Sequence, residues 1–312
     1  MQFKINKLKK WGLFLAAISI FNGACAGIPD SYSEPQISTN SAVQDIAKMG
    51  KVTQLKIAIL PSITTEKQQD RIRRLDKYLE QKLDIPVEIK LTKDYNTTVD
   101  LLVSGKVKMA YLGPFTYIQA KQKNQNLEPI VAHIEKTTGR PWYNSIIVTI
   151  KNSEINTVQD LIGKRFSFVN KSSTSGFLVP STHFETLGII PEKDFASVEY
   201  AGGHDNNVLA LEDGKVDAIA IEKPAYVELK NQGLLSEDKY KIIWKSDPIP
   251  NPPIVISNQL PVEFKIALQK ALIDAPEGLV GIGGVESAGY TLVSDGDYEP
   301  VRKLQELLNT PS

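Results

Sequence analysis

The sequence has a single cysteine, Cys25, among 312 residues, so a disulfide bond within the chain is excluded. It has no excess of either charge, with 36 lysines and arginines against 36 aspartates and glutamates. Because nucleic-acid-binding proteins usually carry a basic surplus, this balance argues against nucleic acid as a partner. The chain also lacks a G-x-S-x-G nucleophile elbow, a P-loop, an H-E-x-x-H motif and cysteine–histidine metal spacings. The sequence therefore predicts no catalytic residue, no cofactor and no metal ion.

The first 25 residues have the pattern of an export signal. Four lysines precede the apolar run 11–21, which is too short to span a bilayer as an ordinary transmembrane helix. Cys25 follows Gly23-Ala24, and this segment resembles the lipobox of bacterial lipoproteins, in which the cysteine is acylated. Asn22 stands where a lipobox usually carries leucine, and Ala24-Cys25-Ala26 also fits a site for ordinary cleavage. We predict a lipoprotein signal over residues 1–25, with cleavage to a soluble exported protein as the alternative.

The remainder of the chain alternates between strand-like and helix-like segments. Residues 26–52, rich in polar residues without periodicity, predict a flexible tether. From Leu55 onward, short apolar or alternating runs are followed by amphipathic segments, and the pattern restarts near Thr157. This order predicts an α/β fold with doubly wound, mainly parallel sheets, in which ligands bind beyond the carboxyl ends of the strands.

The chain is too long for a typical single core, so we predict two α/β lobes. The first lobe is assigned to residues 53–146 and 257–312, and the second to residues 147–256, with hinge crossings at the ends of the second lobe. A chain that crosses twice between lobes predicts a cleft that can close over a ligand.

The hydroxyl-rich segment Ser172-Ser173-Thr174-Ser175 with Gly176 is the most informative stretch of the sequence. Four hydroxyls supply up to four donors, and the glycine allows a tight turn that points successive N–H groups the same way. Residues 179–187 have helical character, and a helix N-terminus favours a bound anion by about 0.3–1 kcal/mol when exposed. We predict an oxyanion cradle here, although a serine-rich segment before a helix is, taken alone, more often an ordinary helix N-cap.

Three other side chains fall where anion ligands are expected. Tyr95 follows a predicted strand, and His204 opens a helix after Gly202-Gly203, where either ring nitrogen can donate. Tyr143 lies in a loop beside Trp142, where it serves either packing or ligand contact.

From about Leu55 to Leu308 the sequence resembles the periplasmic phosphonate-binding proteins of ABC importers, a family that also includes phosphite, methylphosphonate and phosphate binders. The residues that carry the resemblance are Asp94-Tyr95, Tyr111-Leu112-Gly113-Pro114, Tyr143, Ser173-Thr174-Ser175-Gly176-Phe177-Leu178-Val179-Pro180, Ala201-Gly202-Gly203-His204 and Ile243-Trp244-Lys245-Ser246. The resemblance implies a two-lobed periplasmic binding protein fold of type II and a non-catalytic receptor for a small phosphorus oxyanion. It also implies a periplasmic location, with a membrane permease as partner and, through the predicted lipid anchor, attachment to the membrane.

The resemblance also implies which residues bind the ligand. In the family, a serine-threonine-serine trio and a glycine-associated histidine bind the oxyanion from one lobe, and tyrosines of the other lobe contact it as well. The corresponding residues here are Ser173, Thr174, Ser175, His204, Tyr95 and Tyr143.

One departure from the family pattern concerns which ligand of the family this protein binds. Members that bind 2-aminoethylphosphonate place carboxylates against the amine in two segments, which here read Glu222-Lys223-Pro224-Ala225-Tyr226 and Ile249-Pro250-Asn251-Pro252-Pro253. Because the second segment has no acid, we expect phosphite, methylphosphonate or phosphate, with Tyr226 as a candidate cleft wall. Glu222 or Asp205 is expected to accept a hydrogen bond from a protonated ligand oxygen and to repel sulfate.

Two other functions fit parts of the sequence. A ligand-sensing lipoprotein would close in the same way but report to a membrane partner. A hydrolase would use Ser173 or Ser175 with His204, against which the missing catalytic motifs argue.

Overall fold

A computed structural model of the protein describes residues 52–236 and 238–309. The predicted signal, Cys25 and all but the last residue of the predicted tether lie outside the described residues. Within the described ranges, no helix is long and apolar enough to cross a membrane.

The described strands are short, and most are separated by helices. In chain order the strands are β1 (Leu55–Ile59), β2 (Val87–Leu91), β3 (Met109–Tyr111), β4 (Leu127–Glu135), β5 (Trp142–Tyr143), β6 (Ser145–Ile150), β7 (Arg165–Phe168), β8 (Ser197–Tyr200), β9 (Ala218–Glu222), β10 (Tyr240–Lys245), β11 (Ile249–Pro250), β12 (Pro253–Ser257) and β13 (Ser287–Leu292). The helices are α1 (Glu66–Leu83), α2 (Tyr95–Val103), α3 (Pro114–Lys123), α4 (Val179–Thr186), α5 (Pro191–Asp194), α6 (His204–Glu212), α7 (Lys223–Asn231), α8 (Val262–Ile273) and α9 (Glu299–Asn309). Short turns of 3-10 or π helix cover Gln159–Leu161, Thr174–Leu178, Glu277–Leu279 and Asp295–Tyr298.

The two lobes contain sheets of six and five strands, and the first five strands have the same arrangement in both. The first lobe contains the order β2-β1-β3-β12-β4-β13, and the second contains β8-β7-β9-β6-β10. In each sheet the first three strands are parallel. The strand that arrives from the other lobe, β12 or β6, then inserts antiparallel, and the next strand resumes the original direction. This repeated order confirms the predicted two-lobed α/β fold, in which most strands of each sheet point the same way.

The chain crosses between the lobes at a short antiparallel pair of strands, β5 with β11. Strand β6 already belongs to the second sheet at Ser145, and β12 belongs to the first sheet from Pro253. Residues 145–146 and 253–256 therefore pair in the lobe opposite to the one that the sequence analysis assigned them. The apolar run of each strand begins directly after the crossing, so composition alone marks no boundary there.

The hydrophobic core has a part in each lobe, and the buried first-lobe residues Ile63 and Val285 join a cluster of the second lobe. One second-lobe cluster is built around Val148 and Ile219, and another around Phe166, Phe168 and Phe184. The first-lobe cluster continues into the second lobe through its buried members Val169, Leu178 and Val179. Helix α9 contacts α3 of the first lobe and α4 of the second, so it packs on both lobes.

Candidate functional site

A small cavity lies between the lobes, where the parallel strands of both sheets end. The cavity volume, counted as the space that the centre of a water molecule can occupy, is about 20 Å³. The lining residues are Leu60, Ser62, Tyr95, Tyr111, Gly113, Tyr143 and Pro252 on one side and Ser173, Thr174, Ser175, His204 and Glu222 on the other. Apart from Tyr143 and Pro252 at the strand crossings, these residues lie at or just beyond the carboxyl ends of β1, β2 and β3 or of β7, β8 and β9. This placement is the ligand position expected for sheets of this class.

Several helices begin at the cavity. Tyr95 is the first residue of α2 and His204 the first residue of α6, while Gly113 directly precedes α3. Ser173 and Glu222 are the N-cap residues of the π-helical turn and of α7. The first N–H groups of a helix have no partner within it and carry partial positive charge. Their convergence makes the cavity favourable for an anion although no lysine or arginine is among its lining residues.

The serine segment both caps a helix and lines the cavity. Ser173 Oγ accepts the Gly176 N–H at 3.0 Å, and Thr174 Oγ1 accepts the Phe115 N–H at 2.9 Å across the lobes. Both hydroxyls are buried. Since a hydroxyl that accepts a hydrogen bond keeps its own proton, each can still donate to a ligand. The predicted cradle and the alternative N-cap are thus compatible for Ser173.

Gly176 has a different role from the one that the sequence predicted. It lies inside the π-helical turn and is not among the glycines with positive φ. A Cβ at this position would lie 2.5 Å from Val169 Cβ and 2.9 Å from Ser173 Oγ. Glycine is therefore required because the turn packs directly against Val169, the residue that follows β7. A left-handed backbone conformation is not the reason.

His204 is held as a neutral imidazole. Its backbone N–H donates to the Ser62 carbonyl at 2.8 Å, and its Nδ1 accepts the Glu222 N–H at 3.5 Å. Burial lowers the pKa of His204 to about 3. With Nδ1 as the acceptor, we assign the proton to Nε2, which makes this atom a donor.

Glu222 is the one carboxyl group that lines the cavity. Its side chain is buried, and Ser62 Oγ donates to its Oε1 at 3.3 Å. Burial raises the pKa of Glu222 to about 7, although the hydrogen bond from Ser62 opposes the shift. Glu222 therefore changes between its protonated and its ionised form near pH 7.

Tyr95 and Tyr143 supply uncharged phenols. Burial, with a smaller contribution from the charge of Glu222, raises the pKa of both phenols far above their usual range. Hydrogen bonding with Ser173 opposes the rise at Tyr95, and hydrogen bonding with Ser175 opposes it at Tyr143. Both phenols keep their protons at physiological pH and can donate them to an anion.

Two of the predicted residues do not line the cavity. Tyr226 lies on α7, which leads away from the strand end, and packs against the second-lobe core around Val148. Asp205 is half-buried beside the cavity, and its carboxylate accepts the Thr64 N–H at 2.8 Å. Tyr226 therefore does not line this cavity, and Asp205 contacts the facing lobe.

Ser62, Tyr111 and Pro252 line the cavity but were absent from the predicted site. Ligands of such sheets bind beyond the carboxyl ends of the strands, and this rule had selected Tyr95. Ser62 follows the end of β1, so the same rule applies to it. In the loop that lacks an acid, Asn251 is buried, with its Nδ2 donating to the His133 carbonyl at 2.7 Å. The neighbouring Pro252 faces the cavity in its place.

Larger pockets of about 370 and 420 Å³ lie beside the strand crossing and beside α4. Neither combines the hydroxyl trio with a histidine. Within the described part of the chain, no three histidine, cysteine, aspartate or glutamate side chains are grouped so that they could hold a metal ion.

A family model described as "ABC transporter, phosphonate, periplasmic substrate-binding protein" matches residues 57–298. The chain belongs to this family. Its members are periplasmic substrate-binding proteins of ABC transporters and not enzymes, so the hydrolase alternative is excluded. The family also places this protein in the periplasm.

Relatives with known names support the same family. The chain is 28% identical over 254 residues to the "Phosphate-import protein PhnD" of Mycolicibacterium smegmatis, covering 79% of this chain and 75% of the relative. It is 29% identical over 252 residues to the "Phosphonates-binding periplasmic protein" of Escherichia coli, covering 78% and 74%. A solved structure of PhnD1 from Prochlorococcus marinus in complex with methylphosphonate superposes with a TM-score of 0.72 at 19% identity, covering 82% of this chain and 98% of that one. At this identity, the superposition supports the fold alone.

Proposed function

We propose that this family member captures a small phosphorus oxyanion, namely phosphite, methylphosphonate or phosphate, and delivers it to the membrane permease of an ABC importer. The observation that carries the proposal is the convergence of uncharged donors and helix N-termini from both lobes on one small cavity. Ser173, Thr174, Ser175 and His204 bind the anion from the second lobe, with Tyr95 and Tyr143 opposite.

The number of donors is sufficient for tight binding. Hydrogen bonds to a charged group contribute roughly 1.5–3 kcal/mol each before the entropy loss of association. Five or six of them are enough to reach micromolar affinity, which corresponds to about −8 kcal/mol. Because no cation lines the cavity, a larger polyanion finds no lysine or arginine to bind there.

The cavity favours a ligand without an aminoethyl group. The space is small, the buried Asn251 amide is directed to the His133 carbonyl, and Pro252 provides an apolar wall. A ligand ammonium would meet Glu222 but no second carboxylate among the lining residues. The names of the relatives, for phosphate import and for phosphonates binding, support a phosphorus oxyanion as the ligand.

We further propose that Cys25 is acylated and anchors the protein to the membrane, with residues 26–52 as the tether. The Gly23-Ala24-Cys25 sequence supports this proposal. Mass spectrometry of the protein from membranes of the producing cell should detect a lipid-modified N-terminal cysteine, and an unmodified chain cleaved beyond Cys25 would contradict it.

Isothermal titration calorimetry on the protein from residue 26 onward tests the ligand assignment. Phosphite, methylphosphonate, 2-aminoethylphosphonate, phosphate and sulfate are compared, and we expect one of the three small phosphorus anions to bind with micromolar affinity or better. Ser173→Ala and His204→Ala should each weaken binding by roughly 10- to 150-fold, since each removes one hydrogen bond to a charged group. Tighter binding of 2-aminoethylphosphonate would contradict the expected ligand size, and binding that survives both substitutions would contradict the site.

A further inference from the structure

Lys67 and Glu228 form an ion pair between the lobes that does not line the ligand cavity. Lys67 lies in the first turn of α1 in the first lobe, and Glu228 lies on α7 in the second. Their side-chain nitrogen and oxygen are 2.9 Å apart. We propose that this ion pair is a latch that holds the lobes closed and sets how long the anion stays bound.

The two ends of the latch have different surroundings. The Glu228 side chain is only 5% exposed, whereas that of Lys67 is 48% exposed. Glu228 also accepts a hydrogen bond from Gln232 Nε2 at 2.7 Å. A buried carboxylate is costly without charged or hydrogen-bonding partners, so Glu228 depends on Lys67 while the lobes are closed.

Lys67 is shared between one acid from each lobe. Its second partner, Glu286, belongs to the first lobe, lies 3.0 Å away and is 42% exposed. Opening the lobes separates Lys67 from Glu228 but leaves the Glu286 pair intact. The Glu228 contact therefore stabilises only the closed state, whereas the Glu286 contact stabilises both.

The latch extends a line of contacts along residues 62–67. The contacts that precede it are Ser62 O with the His204 N–H, Ser62 Oγ with Glu222 and the Thr64 N–H with Asp205. Neither Lys67 nor Glu228 lines the cavity, so their replacement leaves every proposed ligand donor in place. They are positioning residues, which act on closure and not on the anion.

Lys67→Met tests the latch, because the apolar side chain keeps much of the stem while leaving Glu228 buried without its cation. We expect the dissociation rate of phosphite or phosphate, measured by stopped-flow fluorescence, to rise about tenfold with an unchanged association rate, as is usual when one partner of a buried charge pair is removed. Glu286→Gln is the matched control and should leave both rates unchanged. Lys67→Arg, which keeps the positive charge between the two acids, should retain slow dissociation.

The latch proposal rests on the proposed function, but different experimental results would contradict each of the two proposals. If the wild-type protein binds neither phosphite nor phosphate, the proposed ligands are wrong, and the latch is then judged from the ligand-free radius of gyration by small-angle X-ray scattering. We expect this radius to increase in Lys67→Met and not in Glu286→Gln. If the wild-type protein binds but Lys67→Met releases the anion at the wild-type rate, the latch is wrong. A similar increase in the dissociation rate in Glu286→Gln would also overturn it.

Discussion

Replacing Gly176 with alanine is expected to reduce anion binding below detection. The added Cβ would lie 2.5 Å from Val169 Cβ and 2.9 Å from Ser173 Oγ, closer than atoms of a folded protein approach. Val169 is fully buried, so it has no room to move away. The π-helical turn must shift instead, and this displaces the Ser173, Thr174 and Ser175 donors together. Overpacking of this kind typically destabilises a fold by about 1–3 kcal/mol in addition.

Calorimetry with the anion that binds the wild-type protein gives the direct comparison, and thermal unfolding shows whether the variant is still folded. Gly296→Ala is the control, because a Cβ there would meet no atom closer than 3.8 Å and the backbone φ is not positive. It should bind normally. A folded Gly176→Ala protein with wild-type affinity would show that the position of the serine segment does not determine binding.

The predictions from sequence were most accurate where the signal is local. The alternation of apolar runs and amphipathic helices predicted the two α/β lobes, the rule for strand ends led to Tyr95, and the run of hydroxyl residues before a helix led to the serine segment. In α1, apolar residues at helical spacing, Ile72, Leu75, Leu79 and Leu83, are all buried as the pattern predicts. These features depend on neighbours within a few residues.

The errors concern contacts between segments that are distant in the chain. Tyr226 follows Glu222 closely, but the helical turn of α7 directs it towards the second-lobe core. Gly176 resembles a turn glycine in sequence, whereas Val169 from the preceding strand segment is what requires it. Lys67 and Glu228 are separated by 161 residues, so no local pattern could show that they meet.

Replacing Glu222 with glutamine is expected to change the discrimination between phosphate and sulfate about a hundredfold at pH 8. Burial raises the pKa of Glu222 from 4.5 to about 7, so the wild-type carboxyl is mostly ionised at pH 8. The carboxylate can then accept the proton of a protonated phosphate oxygen, whereas sulfate has no proton to share. A fixed anion facing sulfate across the cavity costs several kcal/mol, and glutamine removes this charge while offering N–H donors. Calorimetry should therefore detect sulfate binding to the variant and much weaker binding to the wild-type protein.

The same substitution should alter the pH dependence of affinity. Below about pH 7 the raised pKa keeps a proton on Glu222, which can donate it to bound sulfate. As the pH rises through 7 this proton is lost, two negative groups face each other, and the affinity for sulfate falls by at most about tenfold per pH unit, whereas phosphate brings a proton of its own. Glutamine cannot ionise, so the variant should retain only the pH dependence of the ligand itself. If sulfate binding at pH 8 and the pH profile of sulfate binding are the same in both proteins, the carboxyl of Glu222 takes no part in selecting the anion.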